Sequence, residues 1–275
     1  MSDREISMET MNRKPRQGHI GNLELKIYPD AKAAAAELAH TVANVIIELA
    51  KRVENSAMIF ATGVSQLEVL SALTAIPGLP WNRISGFHLD EYLGLPADHP
   101  ASFRHYLRQH LTQIVQMRHF YEIDGTAADP ASECLRYGDY LHACPPQLCL
   151  LGIGENGHLA FNDPEEANFE DPEDVKIVEL DAISRRQQLN EGWFHTLAEV
   201  PERALTLTIP AIMRVPRLIV SAPGRRKAHI VKRMLEDPIS TRCPATILRN
   251  HPSVTVYLDE DAAAELNSLP FDVVP

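Results

Sequence analysis

The sequence predicts an α/β protein: one domain with a mainly parallel, doubly wound, Rossmann-like sheet flanked by helices. Three observations carry this. Short aliphatic runs alternate along the chain with stretches of helical periodicity. The runs Ala57–Ala61, Ile84–Leu89 and Leu148–Leu151 each lead into polar segments rich in chemistry, which is where strands of such a sheet deliver ligand-binding groups. A chain of 275 residues that is 45% apolar is also long enough for one large buried core.

The elements follow in order. Residues 1–20 are polar with charges of both signs and read as a mobile arm, leaving 21–275 as the domain. Leu23-x-Leu25-x-Ile27 alternates as a first strand. Asp30 then caps a helix whose Leu38, Val42, Val45, Ile46 and Leu49 form an apolar stripe. Ala57–Ala61 is a buried strand running into Thr62-Gly63-Val64-Ser65, and Ser65 and Glu68 have the spacing of a capping box for the next helix. Ile84–Leu89 is a strand that delivers Asp90-Glu91. Phe103, Tyr106, Leu107 and Leu111 give a helix, His119–Ile123 a short strand, and 130–142 a second helix. Leu148–Leu151 is a buried strand because it is short, aliphatic and ended by glycine. Val175–Leu180 is a strand, and the polar segment 181–194 is either a surface helix or a lid. Strands Ala204–Ile209, Arg217–Ser221 and Ser253–Leu258 complete the sheet, with a helix opening near Arg225-Arg226-Lys227.

Whole-chain properties exclude several function classes. A formal charge of -11 without a basic surface argues against nucleic acid and anionic membrane as partners. No apolar run approaches the length of a membrane span, and the start lacks a signal sequence, so a cytoplasmic protein is expected. Cys134, Cys144, Cys149 and Cys243 make no C-x-x-C pair and read as reduced thiols, not as a zinc site or disulfide frame.

Three strand ends are chemically loaded. At Thr62–Ser65 a glycine-containing, hydroxyl-rich turn meets a helix start, which suits an anion; Ser65 acting only as a cap is the competing reading. Of Asp90 and Glu91, one should face inward, where a half-buried carboxylate can move a proton on and off carbon. The run Gly152–Pro164 carries Asn156, His158 and Asp163 among glycines, including Gly157, that let a ligand approach the backbone. Gly152-x-Gly154-x-x-Gly157 satisfies a dinucleotide fingerprint, yet Phe161-Asn162-Asp163-Pro164 breaks the helix that should follow, which counts against a nucleotide cofactor. Lys227 belongs to a basic cluster at a helix start, a conflict that a bound anion relieves.

Together, Phe87-His-Leu-Asp-Glu-Tyr-Leu-Gly-Leu-Pro96, Gly152–Pro164, Val200-Pro201 with Ala204-Leu-Thr-Leu-Thr208, and Lys227-Ala228 resemble the glucosamine-6-phosphate deaminase branch of the superfamily shared with 6-phosphogluconolactonases. The resemblance covers most of residues 20–265, and Tyr92 and Phe161-Asn-Asp-Pro164 side with the deaminases. It implies conversion of a hexosamine 6-phosphate, foremost glucosamine 6-phosphate, to a ketose phosphate plus ammonia, without metal or organic cofactor. Asp90 would be the base that carries a proton between C2 and C1, and His158 would assist ring opening, oriented by Asn156 and Asp163. Thr62, Gly63, Ser65, Gly157 and Lys227 would hold the sugar phosphate, with Arg185 or Arg186 of the lid segment as the phosphate arginine.

Three departures stand out. Asn156 replaces a frequent Asp, Asp163 is one methylene shorter than the usual Glu, and the lid carries about three extra residues. Rival readings are a lactonase, a deaminase for the galactosamine epimer, and a non-catalytic sugar-phosphate sensor. A homo-oligomer is compatible with the resemblance.

Overall fold

The computed structural model describes residues 14–52, 56–266 and 272–273. Among these, nine strands form one sheet in the order β12(Asp272–Val273), β1(Arg16–Ile20), β2(Leu23–Tyr28), β11(Val254–Asp259), β10(Leu218–Ser221), β7(Leu148–Leu151), β3(Ser56–Phe60), β4(Ile84–His88), β6(His119–Phe120). From β2 to β6 every pairing is parallel. Such strands are covered on both faces, which is why β3, β4, β7 and β10 are buried throughout and read as continuous apolar runs.

Helices close both faces, and two further ones, α3(Phe103–Leu107) and α6(Ile209–Met213), are short. α1(Ala31–Arg52) lays Leu38, Val42 and Ile46 on one side together with Val69, Leu70 and Leu73 of α2(Val64–Thr74). Asp30 caps α1, its Oδ1 accepting from the Ala33 N–H at 2.8 Å. By length and composition α1 could cross a membrane, contrary to the sequence expectation, but half of it is buried against the sheet, as in the core helix of a soluble protein. The opposite face packs α4(Pro130–Ala143) and α7(Ala228–Glu236) through Tyr137, Leu141, Ile230, Val231 and Met234.

Three expectations are corrected. Residues 16–20, assigned to a mobile arm, pair antiparallel with β2 and extend the sheet; residues 1–13 lie outside the described residues. The capping box at Ser65 does not form: α2 starts at Val64 behind Gly63, whose φ of 94° suits a glycine, and no side chain caps it. The strands at 175–180 and 204–209 do not join the main sheet. β8(Val175–Glu179) and β9(Arg203–Leu207) pair antiparallel with the short β5(Asp90–Tyr92) in a separate three-stranded sheet over an aromatic core of Tyr92, Phe103, Phe161 and Phe194.

Candidate active site

The strand order reverses between β3 and β7. From β3 the chain moves outward through β4 to β6, then returns at β7 and proceeds the other way through β10 and β11. At such a switch point the loops leaving adjacent strands diverge and open a crevice at the carboxyl edge. Here a cavity of about 730 Å³ opens, lined from β3 by Thr62, Gly63 and Ser65, beyond β4 by Asp90, from β7 by Gly154 and His158, and from β10 by Arg225, Arg226 and Lys227. The volume is in the usual range for small-molecule sites.

At one end the backbone is fixed in place. The Tyr106 hydroxyl donates to the Gly63 carbonyl at 2.9 Å, the Ser221 hydroxyl to the Ser65 carbonyl at 3.2 Å, and the Gln66 amide to the Leu151 carbonyl at 3.3 Å. The turn and the end of β7 are therefore held in register. Gly224, with φ 94°, gives its N–H to both Asp259 oxygens at 2.9 and 3.0 Å and aims the basic residues at the cavity. Burial lowers the Lys227 ammonium below the ordinary lysine range, while Glu155 and Glu191 pull it back.

Asp90 and Glu91 divide their work by strand alternation. Asp90 faces the cavity at 7% exposure, and burial together with the neighbouring Glu91 holds its carboxyl well above the ordinary range. Its backbone is anchored by His88. Nε2 of that ring accepts from the Ile123 N–H at 2.8 Å, so Nδ1 carries the hydrogen and donates to the Asp90 carbonyl at 2.9 Å. Burial pushes this imidazole down to about 3, with Arg104 and Arg108 adding to the effect against the Asp90 hydrogen bond, so it stays neutral. Glu91 turns away and accepts from Ser102 Oγ at 2.7 Å, Arg104 N at 3.0 Å, Tyr92 N at 2.9 Å and Arg104 Nε at 3.3 Å.

His158 lies over Gly154, where an added Cβ would sit 2.2 Å from the ring, so only glycine lets the imidazole occupy this place. Its Nδ1 is 2.9 Å from Asp163 Oδ1. The shorter carboxylate thus reaches the ring directly. Burial alone would raise the Asp163 carboxyl, but hydrogen bonds from His158, Asn156 and Ser184 outweigh it and hold the group below the ordinary range. Asn156 accepts from the His158 N–H at 3.0 Å and donates to Asp163 at 2.9 Å and Asp181 at 3.1 Å. An Asp at 156 would face two other carboxylates, which accounts for the amide.

The segment 181–194 resolves as a helix, α5(Ala182–Asn190), capped by Asp181 and lying over the cavity. It brings Gln187, Gln188 and Glu191 to the site, none of which the sequence singled out as cavity residues. The Gln187 side-chain Oε1 accepts from the Glu155 N–H at 3.2 Å, and its Nε2 donates to Glu191 at 2.8 Å; Trp193 Nε1 donates to Glu191 at 3.2 Å. Expectations for the lid arginines are corrected. Arg185 donates to the carbonyls of Leu197 at 2.9 Å and Val200 at 3.0 Å, Arg186 is exposed, and neither lines the cavity. Gly157 does not line it either: a Cβ there would meet Cys243 Sγ at 2.8 Å, so its glycine serves packing. Asn156 and Asp163 stand behind His158, outside the cavity wall. Among the described residues no three His, Cys, Asp or Glu side chains are grouped as a metal ion would require.

A desolvated carboxylate, a carboxylate-backed imidazole and a cationic end in one switch-point cavity define a proton-transferring enzyme for a small anionic substrate. The comparisons give the family. Residues 29–257 match the family described as glucosamine-6-phosphate isomerases/6-phosphogluconolactonase, and the chain belongs to it. It is 37% identical over 226 residues to a glucosamine-6-phosphate deaminase of Bacillus cereus (strain B4264), covering 82% of this chain and 84% of that protein. A solved structure of a monomeric glucosamine-6-phosphate deaminase superposes with a TM-score of 0.80 at 28% identity, over 88% of this chain and 99% of that one. A 6-phosphogluconolactonase from Thermotoga maritima has a TM-score of 0.70 at 18% identity, over 86% and 98%, and shares the fold.

Proposed function

We propose that the protein is a glucosamine-6-phosphate deaminase, which isomerises the amino sugar phosphate to a ketose phosphate and releases ammonia. The observation that carries this reading is the pairing of Asp90 with His158 on one cavity. An isomerisation of this kind needs a carboxylate beside the reacting carbons, with its basicity raised by desolvation, and Asp90 has that environment. Ring opening needs a group that exchanges a proton with the ring oxygen. His158, backed on Nδ1 by Asp163, offers Nε2 for that exchange.

In this reading the phosphate lies among Thr62–Ser65, the start of α2 and Lys227, with Arg225 and Arg226 adding positive potential. His158 relays a proton as the ring opens, and Asp90 takes the proton from C2 and returns it at C1. The resulting imine is hydrolysed to ketone and ammonia. The four free thiols fit the reducing cytoplasm, where we place the activity within amino sugar breakdown.

The test is ammonia release from purified protein offered glucosamine 6-phosphate and galactosamine 6-phosphate in parallel. Release from the gluco epimer is the expected result. Release from the galacto epimer alone would keep the chemistry and change the substrate, and silence from both would remove the deaminase reading.

A further inference from the structure

Ser184 is fully buried, although it belongs to the polar lid segment. Its Oγ lies 2.5 Å from Asp163 Oδ1 and 3.1 Å from His158 Nδ1, while His158 Nδ1 is itself 2.9 Å from the same carboxylate oxygen. These three distances fix the protons on the facing groups. The Asp163 carboxyl is ionised, so a bare Nδ1 facing it would set two lone pairs against each other. Nδ1 therefore carries the hydrogen, the serine hydroxyl must donate to Asp163, and the serine oxygen is left as a second acceptor for Nδ1–H. Neither of these partners engages Nε2.

What distinguishes Ser184 from the other partners is its element. Asn156 and Asp163 share a loop with His158, whereas Ser184 arrives on α5. Asp181 caps that helix by accepting the Ser184 N–H at 2.6 Å and also accepts from Asn156. One turn further on, Gln187 holds the Glu155 N–H. The lid thus grips the histidine loop at both of its ends. We infer that Ser184 is a positioning residue through which the seating of the lid helix fixes the aim of the His158 ring. The inference rests on the proposed chemistry for its kinetic arm only.

The experiment compares wild type, Ser184→Ala and Ser184→Thr in the ammonia assay, and follows the His158 ring through a pH titration by NMR without substrate. Removal of an outer partner of a reacting imidazole should lower kcat by about 10- to 100-fold with KM within about twofold, and the threonine hydroxyl should restore kcat to within about threefold. The pH at which His158 titrates should move in Ser184→Ala and return in Ser184→Thr. If the alanine variant does not fold, Ser184→Cys replaces it. A wild-type kcat in Ser184→Ala, or a loss confined to KM, would overturn the proposal. If wild type releases no ammonia the reaction reading fails, and the titration still decides: a His158 curve that moves upholds the coupling, and an identical curve overturns it.

Discussion

Replacing Glu91 with glutamine should chiefly destabilise the fold, and replacing the adjacent Asp90 with asparagine should chiefly remove the chemistry, since burial, the larger cause of the raised Asp90 carboxyl, does not depend on Glu91. Glu91 is wholly buried and receives donors from Ser102, Tyr92, Phe103 and Arg104, with the Arg104 guanidinium at 3.3 Å. Glutamine removes the charge and turns an amide donor onto groups that are already donors. Breaking a buried pair by removing one partner costs about 3–5 kcal/mol. Arg104 keeps Asp124 at 2.9 Å and the Leu95 carbonyl at 3.1 Å, so the lower figure applies, about 3 kcal/mol. For a domain of this size that is a fall in Tm of about 6–12 °C.

Asp90→Asn should cut turnover by about 10²- to 10⁴-fold. Its stability should match or exceed wild type at pH 7, and the sign follows from linkage. The folded Asp90 carboxyl is raised by burial and by Glu91, so above the ordinary Asp range the folded state still binds a proton that the unfolded chain has lost. Stability therefore falls with rising pH until the folded group ionises, and asparagine removes that cost. Thermal unfolding of both variants at pH 7 and pH 4, beside the ammonia assay, checks the pair. A Glu91→Gln variant with wild-type Tm, or an Asp90→Asn variant that loses as much stability as Glu91→Gln, would refute the division of labour.

Lys227→Ala should raise KM for the sugar phosphate by about 10- to 100-fold, the usual range for a charged hydrogen bond, whereas Arg185→Ala should leave KM unchanged and lower stability by about 1–3 kcal/mol through its bonds to Leu197 and Val200; steady-state kinetics with urea unfolding separate them. Glu191 stands over Gly63, with its Oε2 4.0 Å from where a Cβ would be, so Glu191→Gln should tighten inorganic phosphate binding by about 2- to 10-fold at low salt, an advantage that calorimetry should show fading as salt is added. His88 is neutral when folded down to about pH 3, while in the unfolded chain it takes up a proton near its ordinary value of 6.5. Between those values the unfolded state binds more protons, so the His88 contribution to stability falls as pH drops from about 6.5, opposite in sign to the Asp90 contribution; urea midpoints of Asp90→Asn, which lacks the opposing proton, should therefore decline from pH 7 to 6 to 5 more steeply than those of wild type.

The main sheet was legible because parallel strands buried on both faces leave continuous apolar runs ended by glycine or polar turns, and the loaded ends of Ala57–Ala61 and Leu148–Leu151 stand at the switch point itself. The second sheet was not. The alternation in Val175–Glu179 and Arg203–Leu207 gives two half-buried strands but does not name their partners, and β5 is only three residues long. The capping box at Ser65 failed because spacing cannot see that Gly63 turns the chain one residue earlier. Among arginines, sequence offers charge without direction: Arg185 looks like a phosphate ligand until its guanidinium is found on backbone carbonyls. Ser184 was invisible for a related reason, since a serine in a polar segment gives no sign that it will be wholly buried against an imidazole.

Asn156 differs, because the structure turns an apparent departure into a requirement that can be tested. Asp163 and Asp181 both point at residue 156, and its amide donates to each, at 2.9 and 3.1 Å. Asn156→Asp replaces two donors by a third carboxylate. The new group should be raised well above the ordinary Asp range and remain protonated in the folded state, at a cost of about 2–4 kcal/mol at pH 7 for two lost charged hydrogen bonds. Because the folded form then binds the extra proton, the cost should shrink as pH falls toward 4, where the unfolded chain also becomes protonated. Asp181→Asn in the same chain removes one of the opposing charges and still caps α5, since asparagine is as good a cap as aspartate. The double variant should therefore recover most of the lost stability at pH 7. Urea unfolding of Asn156→Asp, Asp181→Asn and the pair completes the cycle, and additive losses would show that the amide is not held there by the two carboxylates.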